Sequence, residues 1–468
     1  MTLPGTLAAA ARLIAARKLG PVELTRALLA RIAALDPGLN AFITVSERPA
    51  LAAARAAERR LAAGERHRLL GIPVGLKDIY ETAGIRTTAH SRLLAENVPK
   101  ADAETVRRLR EAGAVILGKL ATHEFAIGGP ALDLPWPPAR NPWDRLRFTG
   151  GSSSGSGAAV AAGLVLGATG SDTGGSIRLP AGYCGIAGLK PTPGLVSRRG
   201  VIPLAPSLDT AGPMAWTAED CAILLETLAG HDAADPASVP VPPVTYASGL
   251  GTSLKGLRVG VLRRFYERDA PATPETLRMM AETERLLRGL GCRVEPVTPP
   301  PLADYNAVCR VIICAEAYAL HESRLRTRLD DYSRAFRVRV LGGALLSAAD
   351  YIAAQRRRTE LIAASLALFA RCDVLLSTPT QGPAPLLAEQ RPDDGFTRPF
   401  LTSMANVAAL PSLVVCGGFS AGGLPLGVEL IGRPWSEAVL LRVGHQLERA
   451  NGTRERRPAA VAALSAST

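Results

Sequence analysis

Two segments rich in glycine and serine carry hydroxyl groups that could act in catalysis. The first, GGSSSGSG, spans residues 150–157, and the second, DTGGSIR, spans residues 172–178. In the second segment, successive backbone N–H groups of a sharp turn can point the same way and hold the negative charge that develops on a reacting carbonyl oxygen. Ser176 ends this turn and could be the nucleophile. Taken alone, the segment is more simply interpreted as a tight turn with a capping serine.

A serine nucleophile needs a base, and the candidate is Lys77 in GIPVGLKDIY (71–80). No histidine lies in a motif near either segment. The ordinary lysine pKa of about 10.4 leaves about one amine in a few thousand neutral at pH 7, so the site would have to lower it by burial or positive neighbours. The residues permit a serine–lysine hydrolase. They equally permit a strand-end lysine whose amine reaches solvent.

The elements that must position these residues follow an α/β pattern. Short apolar strands alternate with helices and glycine turns from residue 71 to about 205, and helical periodicity dominates residues 303–371. Strands of the same character return over residues 257–262, 292–297, 373–380, 411–419 and 425–432. We therefore expect an α/β fold: one large domain over residues 1–468, with a mixed twisted β-sheet covered on both faces by helices.

Within this domain the sequence predicts five parts. They are N-terminal helices (1–65), a core with both serine-rich segments (70–205), a Pro/Gly-rich surface segment (231–256), the remaining sheet with pocket-forming helices (257–455), and a frayed tail (456–468). The two N-terminal amphipathic helices could pair two copies into a homodimer.

Composition argues against several other functions. The net charge is +12, but the basic residues are scattered, which argues against a nucleic-acid partner. Seven cysteines without a CxxC pair and six histidines without HExxH predict no metal, no cofactor and a reducing cytoplasmic location. No uninterrupted apolar run of about 18 residues predicts a membrane span. GAVILGKL (113–120) partly matches a phosphate-binding loop, but Leu120 stands where serine or threonine should hold magnesium.

The chemistry-bearing segments resemble the amidase signature family. The resemblance rests on Lys77 in GIPVGLKD, on GGSSSGSGAAVAAG and on GSDTGGSIRLPAGYCGIAGLKPT, in matching order and spacing. It continues through GKLATHEFAIGG (118–129) and TPT (378–380), covers nearly the whole chain, and is weakest over about 231–345. The resemblance implies the amidase signature fold, a Ser–cis-Ser–Lys triad, no cofactor, and hydrolysis of an amide-type C–N bond through an acyl-enzyme.

The resemblance also implies the role of each site residue. Ser176 is implied as the nucleophile, Ser152 as the bridging serine after a cis peptide bond to Gly151, and Lys77 as the general base. The implied oxyanion donors are the backbone N–H groups of Thr173, Gly174, Gly175 and Ser176. The implied supporting residues are Gly151, Ser153, Asp172 and Arg178.

Two residues depart from the common family pattern. Ser154 stands where the family usually has glycine, and Thr149 stands where it often has proline before the paired glycines. Both lie beside the implied triad rather than in it, so they put loop rigidity or the leaving-group side in question, and not activity.

The sequence leaves the substrate open. Segments 125–138 and 303–345 should line the acyl pocket, and apolar residues there favour an uncharged aliphatic or aryl amide, ester or carbamate; they are Ala126, Ile127, Leu132, Leu134 and Trp136. Arginines of the second segment could bind a carboxylate, although exposed helix positions are the favoured interpretation; they are Arg310, Arg324, Arg326 and Arg328. The alternatives are a glutaminase subunit of a glutamyl-tRNA amidotransferase, which needs partner subunits, a urea- or biuret-type amidohydrolase, and a non-catalytic scaffold. GVIPLAPSLDTAGPMAW (200–216) favours a free-standing amidase, and the complete triad argues against the scaffold.

Overall fold

A computed structural model describes residues 3–459 and 461. The strands within the described residues are β1 (Phe42–Val45), β2 (Pro73–Lys77), β3 (Val115–Leu120), β4 (Gly167–Asp172), β5 (Ala187–Lys190), β6 (Thr210–Ala215), β7 (Arg258–Val261), β8 (Arg293–Pro296), β9 (Val374–Ser377), β10 (Ser412–Phe419) and β11 (Pro425–Gly432). The helices are α1 (Leu7–Ala15), α2 (Pro21–Leu35), α3 (Glu47–Ala62), α4 (Glu104–Glu111), α5 (Ser154–Ala161), α6 (Arg178–Cys184), α7 (Ala218–Leu228), α8 (Pro274–Gly289), α9 (Leu302–Thr327), α10 (Arg334–Val340), α11 (Ala348–Leu368), α12 (Asp394–Thr397), α13 (Ser403–Val407) and α14 (Glu437–Asn451).

All the described strands join one mixed sheet. Their order across the sheet is β1-β3-β2-β4-β6-β5-β10-β11-β9-β7-β8. Strand β2 runs parallel to β3 and β4, and β7 runs parallel to β8 and β9, whereas the other neighbours are antiparallel. One cluster of buried apolar side chains extends from Leu7 to Val461. The predicted α/β fold with a mixed sheet is confirmed.

The N-terminal helices form where the sequence predicts them. The Thr6 side chain accepts a hydrogen bond from the N–H of Ala9 and caps α1, while Pro21 occupies the first turn of α2, where a missing N–H costs nothing. Both helices bury a leucine-rich face, and Ala8 donates its N–H to Asp220 of α7. The start of the chain is therefore packed onto the main sheet.

The parallel pairing of β2 with β4 brings the candidate catalytic residues together. Every residue of both strands is buried. Because the carboxyl ends of parallel strands lie at the same edge of a sheet, Lys77 at the end of β2 and Asp172 at the end of β4 meet there. The loop before α5 and the turn before α6 lie at this edge as well.

The predicted surface segment and tail lie at the periphery. Residues 231–256 contain no helix or strand among those described, and they are anchored by the buried side chains of Tyr246, Leu250 and Leu254. Of the predicted tail, residues 456–459 and 461 are described, and Val461 is buried in the core, so the expectation of fraying is wrong for that residue. Residues 460 and 462–468 lie outside the described residues. In the described part of the chain, no helix has the length and apolar character needed to cross a membrane.

Candidate active site

Lys77 is a fully buried lysine that contacts two serine hydroxyls. Its Nζ lies 2.7 Å from Ser152 Oγ and 2.8 Å from Ser171 Oγ. Burial lowers the pKa of Lys77 to about 7, although the charges of Asp172 and Asp209 act in the opposite direction. About half of the molecules therefore carry a neutral amine at pH 7, which supplies the condition that the sequence left open. Ser171 was missed from sequence, although it directly precedes Asp172 at the end of a strand.

The loop before α5 holds Ser152 against the nucleophile turn. The peptide bond between Gly151 and Ser152 is cis, as the family resemblance implies. The N–H of Ser153 donates to the carbonyl of Ser176 at 3.2 Å, which ties this loop to the nucleophile turn. Gly155 packs so closely on its neighbours that an added Cβ would lie 2.4 Å from Ala121 N and from Ala41 O. The small residues therefore let one backbone pack directly on another.

The two departures from the family pattern are accommodated inside the protein. Ser154 is buried, and its hydroxyl donates to the carbonyl of Ala121 at 3.3 Å. Thr149 is also buried, and its hydroxyl donates to the carbonyl of Gly150 at 2.8 Å. Both extra hydroxyls thus bond to the backbone that supports the loop, where an unsatisfied hydroxyl would be costly.

The DTGGSIR turn is built around the Asp172 carboxylate. Gly175 adopts a φ of +130°, a conformation that suits glycine, and its N–H donates to Asp172 Oδ1 at 2.9 Å. The prediction that Gly175 is an oxyanion donor is therefore wrong for this structure, because that N–H is already engaged. Among the described hydrogen bonds, the N–H groups of Thr173, Gly174 and Ser176 have no protein acceptor.

Arg178 fixes this turn from below. Its guanidinium bonds to both oxygens of Asp172 at 3.0 and 2.9 Å, to Glu429 Oε1 of β11 at 2.6 Å, and to the carbonyl of Thr402 at 2.8 Å. Burial would raise the pKa of Asp172, but the Arg178 charge and its hydrogen bonds outweigh burial and hold that pKa well below its usual range. The supporting role predicted for Asp172 and Arg178 has a direct structural basis. Glu429 and Thr402 carried no sequence signal.

A cavity of about 240 Å³ opens onto Ser152 and Ser176. Ala126 and Ile127 line it, in agreement with the sequence. The predicted wall residues Leu132, Leu134 and Trp136 are not among its lining residues: Leu132 is 84% exposed, Leu134 packs on Ala131 and Ala335, and Trp136 borders a separate cleft beside Ile32. Apolar character alone could not tell which side chains of segment 125–138 face the cavity.

The arginines at this cavity are not the four that the sequence suggested. Arg324, Arg326 and Arg328 are exposed on or beside α9, and Arg310 donates to the carbonyls of Gly395 and Arg398. The cavity is instead lined by Arg339, Arg391 and Arg398. The segment prediction holds in that Ile313 and Arg339, both within 303–345, line the cavity.

His123 is a further lining residue that sequence reasoning set aside. Its ring stacks on Phe148 with centroids 6.0 Å apart, and its backbone N–H donates to the carbonyl of Ser152 at 3.1 Å. A Cβ added to Gly151 would lie 2.0 Å from His123 Cε1, so glycine is needed beside this ring. The residue lies in THEF, which matches no motif of a serine–histidine pair. Only the three-dimensional structure brings it to Ser152.

The arrangement can carry out acyl transfer. A hydroxyl at Ser176 faces a cavity, free N–H groups lie in its own turn, and a half-neutral lysine is linked to Ser152 beside it. These are the groups that attack on a carbonyl carbon requires: a nucleophile, a base and donors for the oxyanion.

Fold and site define a hydrolase of carbon–nitrogen bonds, and the chain belongs to the amidase signature family. The family model described as Amidase matches residues 23–441. Among curated proteins, the chain is 41% identical over 460 residues to the first (A-type) component of the glutamyl-tRNA(Gln) amidotransferase of Geobacter metallireducens, covering 93% of this chain and 94% of that protein.

Solved structures show the same fold. A chain from a vestigial protein complex that bears on the evolutionary origins of an s-triazine catabolic enzyme has 34% identity and a TM-score of 0.89, covering 95% of this chain and 98% of its own. Native peptide amidase from Stenotrophomonas maltophilia has 32% identity and a TM-score of 0.84, covering 97% of this chain and 98% of its own.

Proposed function

We propose that the protein hydrolyses the terminal amide of a small aliphatic molecule that carries a carboxylate, the substrate class to which glutamine belongs. Ser176 attacks the amide carbonyl, and its proton passes through Ser152 to Lys77. The oxyanion is held by N–H groups of Thr173, Gly174 and Ser176. Ammonia leaves, and water then releases the acyl group from Ser176. The support for these roles is the chain of short contacts around the half-neutral lysine.

The observation that carries the substrate class is the Arg339 guanidinium in the cavity of Ser152 and Ser176. Arg339 makes no ion pair with any described residue, its Nε has no hydrogen-bond partner among them, and it lies 5.1 Å from the centroid of the Phe396 ring. An added Cβ at Gly395 would overlap it, so the local chain leaves room for this side chain. A cation without a counter-ion in a cavity favours an anionic ligand, and arginine suits a carboxylate geometrically.

The apolar part of the cavity supports an aliphatic acyl group. Ala126, Ile127, Ile313 and Leu179 line it together with the arginines. Methylene groups between the scissile amide and the carboxylate would pack on these side chains, which exclude water. The uncharged aryl amide, ester or carbamate favoured from sequence alone has less support, since it leaves Arg339 without a counter-charge.

The curated relatives support a glutaminase component of an amidotransferase more strongly than a free-standing amidase. They are components of tRNA amidotransferases, and the similarity spans nearly the full length of both chains. Against glutamine itself stands Asp394, which would have to bind the substrate ammonium. Its carboxylate already pairs with Arg398 at 3.1 Å and accepts the N–H of Arg391 at 2.8 Å. Glutamine and the same acid without its amino group therefore need to be compared directly.

The test measures ammonia release by the purified chain from a matched panel. The panel contains glutamine, the monoamide of glutaric acid, a ureido acid, an uncharged aliphatic amide of equal length and an aryl anilide. We expect the carboxylate-bearing amides to have the highest kcat/KM. A clear preference for the uncharged amide or the anilide would overturn the proposed substrate class. Glutamine turnover well above that of the glutaric monoamide would favour the glutaminase component.

Arg339→Met tests the carrying observation. Loss of a desolvated charge partner costs about 2–5 kcal/mol, so kcat/KM for the carboxylate-bearing amide should fall about 100-fold. The matched uncharged amide should change little. Arg337→Met is the control, because Arg337 lies two residues away and pairs with Asp330 outside the cavity. An equal loss for both substrates would mean that Arg339 supports the structure and does not select the substrate.

A further inference from the structure

We propose that His123 positions the scissile amide nitrogen, and so selects unsubstituted amides over esters, an inference that rests on the proposed hydrolysis at Ser176. A neutral ring nitrogen of His123 accepts one N–H of the substrate amide. This contact turns the nitrogen lone pair toward Ser152, which returns the proton when the C–N bond breaks. His123 itself gains and loses no proton in the reaction.

The position of the ring carries the first step of this argument. His123 and Ser152 line the same cavity, and the backbone N–H of His123 binds the carbonyl of Ser152. The edge of the ring that carries Cε1 and Nε2 faces Gly151, at 2.0 and 2.2 Å from where a Cβ would stand. The leaving nitrogen has to approach Ser152 Oγ to receive its proton, and at that point it is next to this ring.

The state of the ring carries the second step. Burial, reinforced by the nearby charge of Lys77, lowers the pKa of His123 to about 3, so the imidazole is neutral at working pH. A neutral imidazole has one nitrogen that accepts a hydrogen bond and one that donates. Neither ring nitrogen bonds to another described residue, and Nε2 is buried. Stacking on Phe148 fixes the ring without using either nitrogen.

The chemistry of the leaving group carries the third step. A primary amide presents two N–H donors that lose water when the cavity closes around the substrate, and a donor without a partner is costly. His123 supplies an acceptor for one of them in a cavity where the arginines offer only further donors. An ester of the same acid has no N–H, so the same ring gives it no advantage. The predicted signature is therefore the ratio of amide to ester turnover.

The experiment compares wild type with His123→Phe and His123→Gln on one acyl group, offered as the primary amide and as the methyl ester. Phenylalanine keeps the ring against Gly151 and Phe148 but lacks nitrogen. We expect its kcat/KM for the amide to fall about 30-fold while the ester changes less than about threefold. Glutamine keeps a polar group near the position of Nε2 and should restore part of the amide activity.

Phe148→Leu is the matched control, since it disturbs the stacking and leaves both ring nitrogens in place. A purely structural role for His123 predicts that all three variants lower amide and ester turnover in parallel, and that result would overturn the inference. An unchanged ratio in a folded His123→Phe protein would overturn it as well, with the proposed hydrolysis intact. If wild type hydrolyses the ester but no amide in the panel, the proposed function fails first, and the inference fails with it.

Discussion

Replacing Ser171 with alanine changes the surroundings of the Lys77 amine and leaves the amine in place. Ser171 Oγ is one of the two hydroxyls within hydrogen-bond distance of Lys77 Nζ, at 2.8 Å. Removing an acceptor costs the ammonium more than the neutral amine, because hydrogen bonds to charged groups contribute about 1.5–3 kcal/mol and neutral ones about 0.5–1.5. The difference of about 1.4 kcal/mol corresponds to about one pKa unit.

The expected result is a shift of the pH–rate profile toward acid. In wild type, kcat/KM should rise with pH through an apparent pKa of about 7, since only the neutral lysine can take the proton. In Ser171→Ala the same limb should lie near pH 6. At pH 6 the wild type would then retain about one tenth of its plateau rate and the variant about one half.

The assay is ammonia release from the best amide of the panel, measured as kcat/KM between pH 5 and pH 9. Ser365→Ala is the control, because Ser365 is equally buried but bonds to Tyr305 and to the carbonyl of Leu361, far from Lys77 in the chain. Ser171 also lines a second cavity, so water could take the place of its hydroxyl. A limb that stays in place or moves to higher pH would refute the reasoning, because it would mean that hydration governs this pKa.

Two further variants probe the nucleophile and its support. Ser176→Ala should abolish turnover in the ammonia assay without changing the melting temperature, and measurable wild-type-like activity in this variant would remove Ser176 from the mechanism. Arg178→Met leaves the buried carboxylates of Asp172 and Glu429 without their cation, which should cost about 3–5 kcal/mol of folding free energy and lower the melting temperature by several degrees. Arg107→Met, which removes a surface ion pair, should change the melting temperature little, and equal shifts for the two arginine variants would contradict this account.

The sequence predicts most of the sheet and the catalytic hydroxyls because both depend on local pattern. Short buried strands have a recognisable composition, and the order of Lys77, Ser152 and Ser176 along the chain identifies the family. The cis peptide bond before Ser152 also follows from that resemblance. The hydrogen bond of Gly175 to Asp172 did not, since it depends on how the turn closes on itself.

The remaining parts of the site come from distant segments, which no local pattern reports. His123 reaches Ser152 through strand β3 and the loop after it, and Arg339 enters the cavity from α10. Trp136 fails as a pocket wall because it packs beside His90, with ring centroids 5.8 Å apart, and not on the cavity. Which face of a loop meets solvent is decided by its tertiary neighbours.

The partners of Arg178 have a consequence for the order in which the protein is made. Thr402, Asn406 and Glu429, which bind its guanidinium, lie 224, 228 and 251 residues further along the chain. During synthesis the segment with Ser176 leaves the ribosome long before these residues exist. Its turn can adopt the final geometry only when nearly the entire chain is present. An unfinished polypeptide thus carries the reactive serine without a working site, and catalysis begins only with the completed protein.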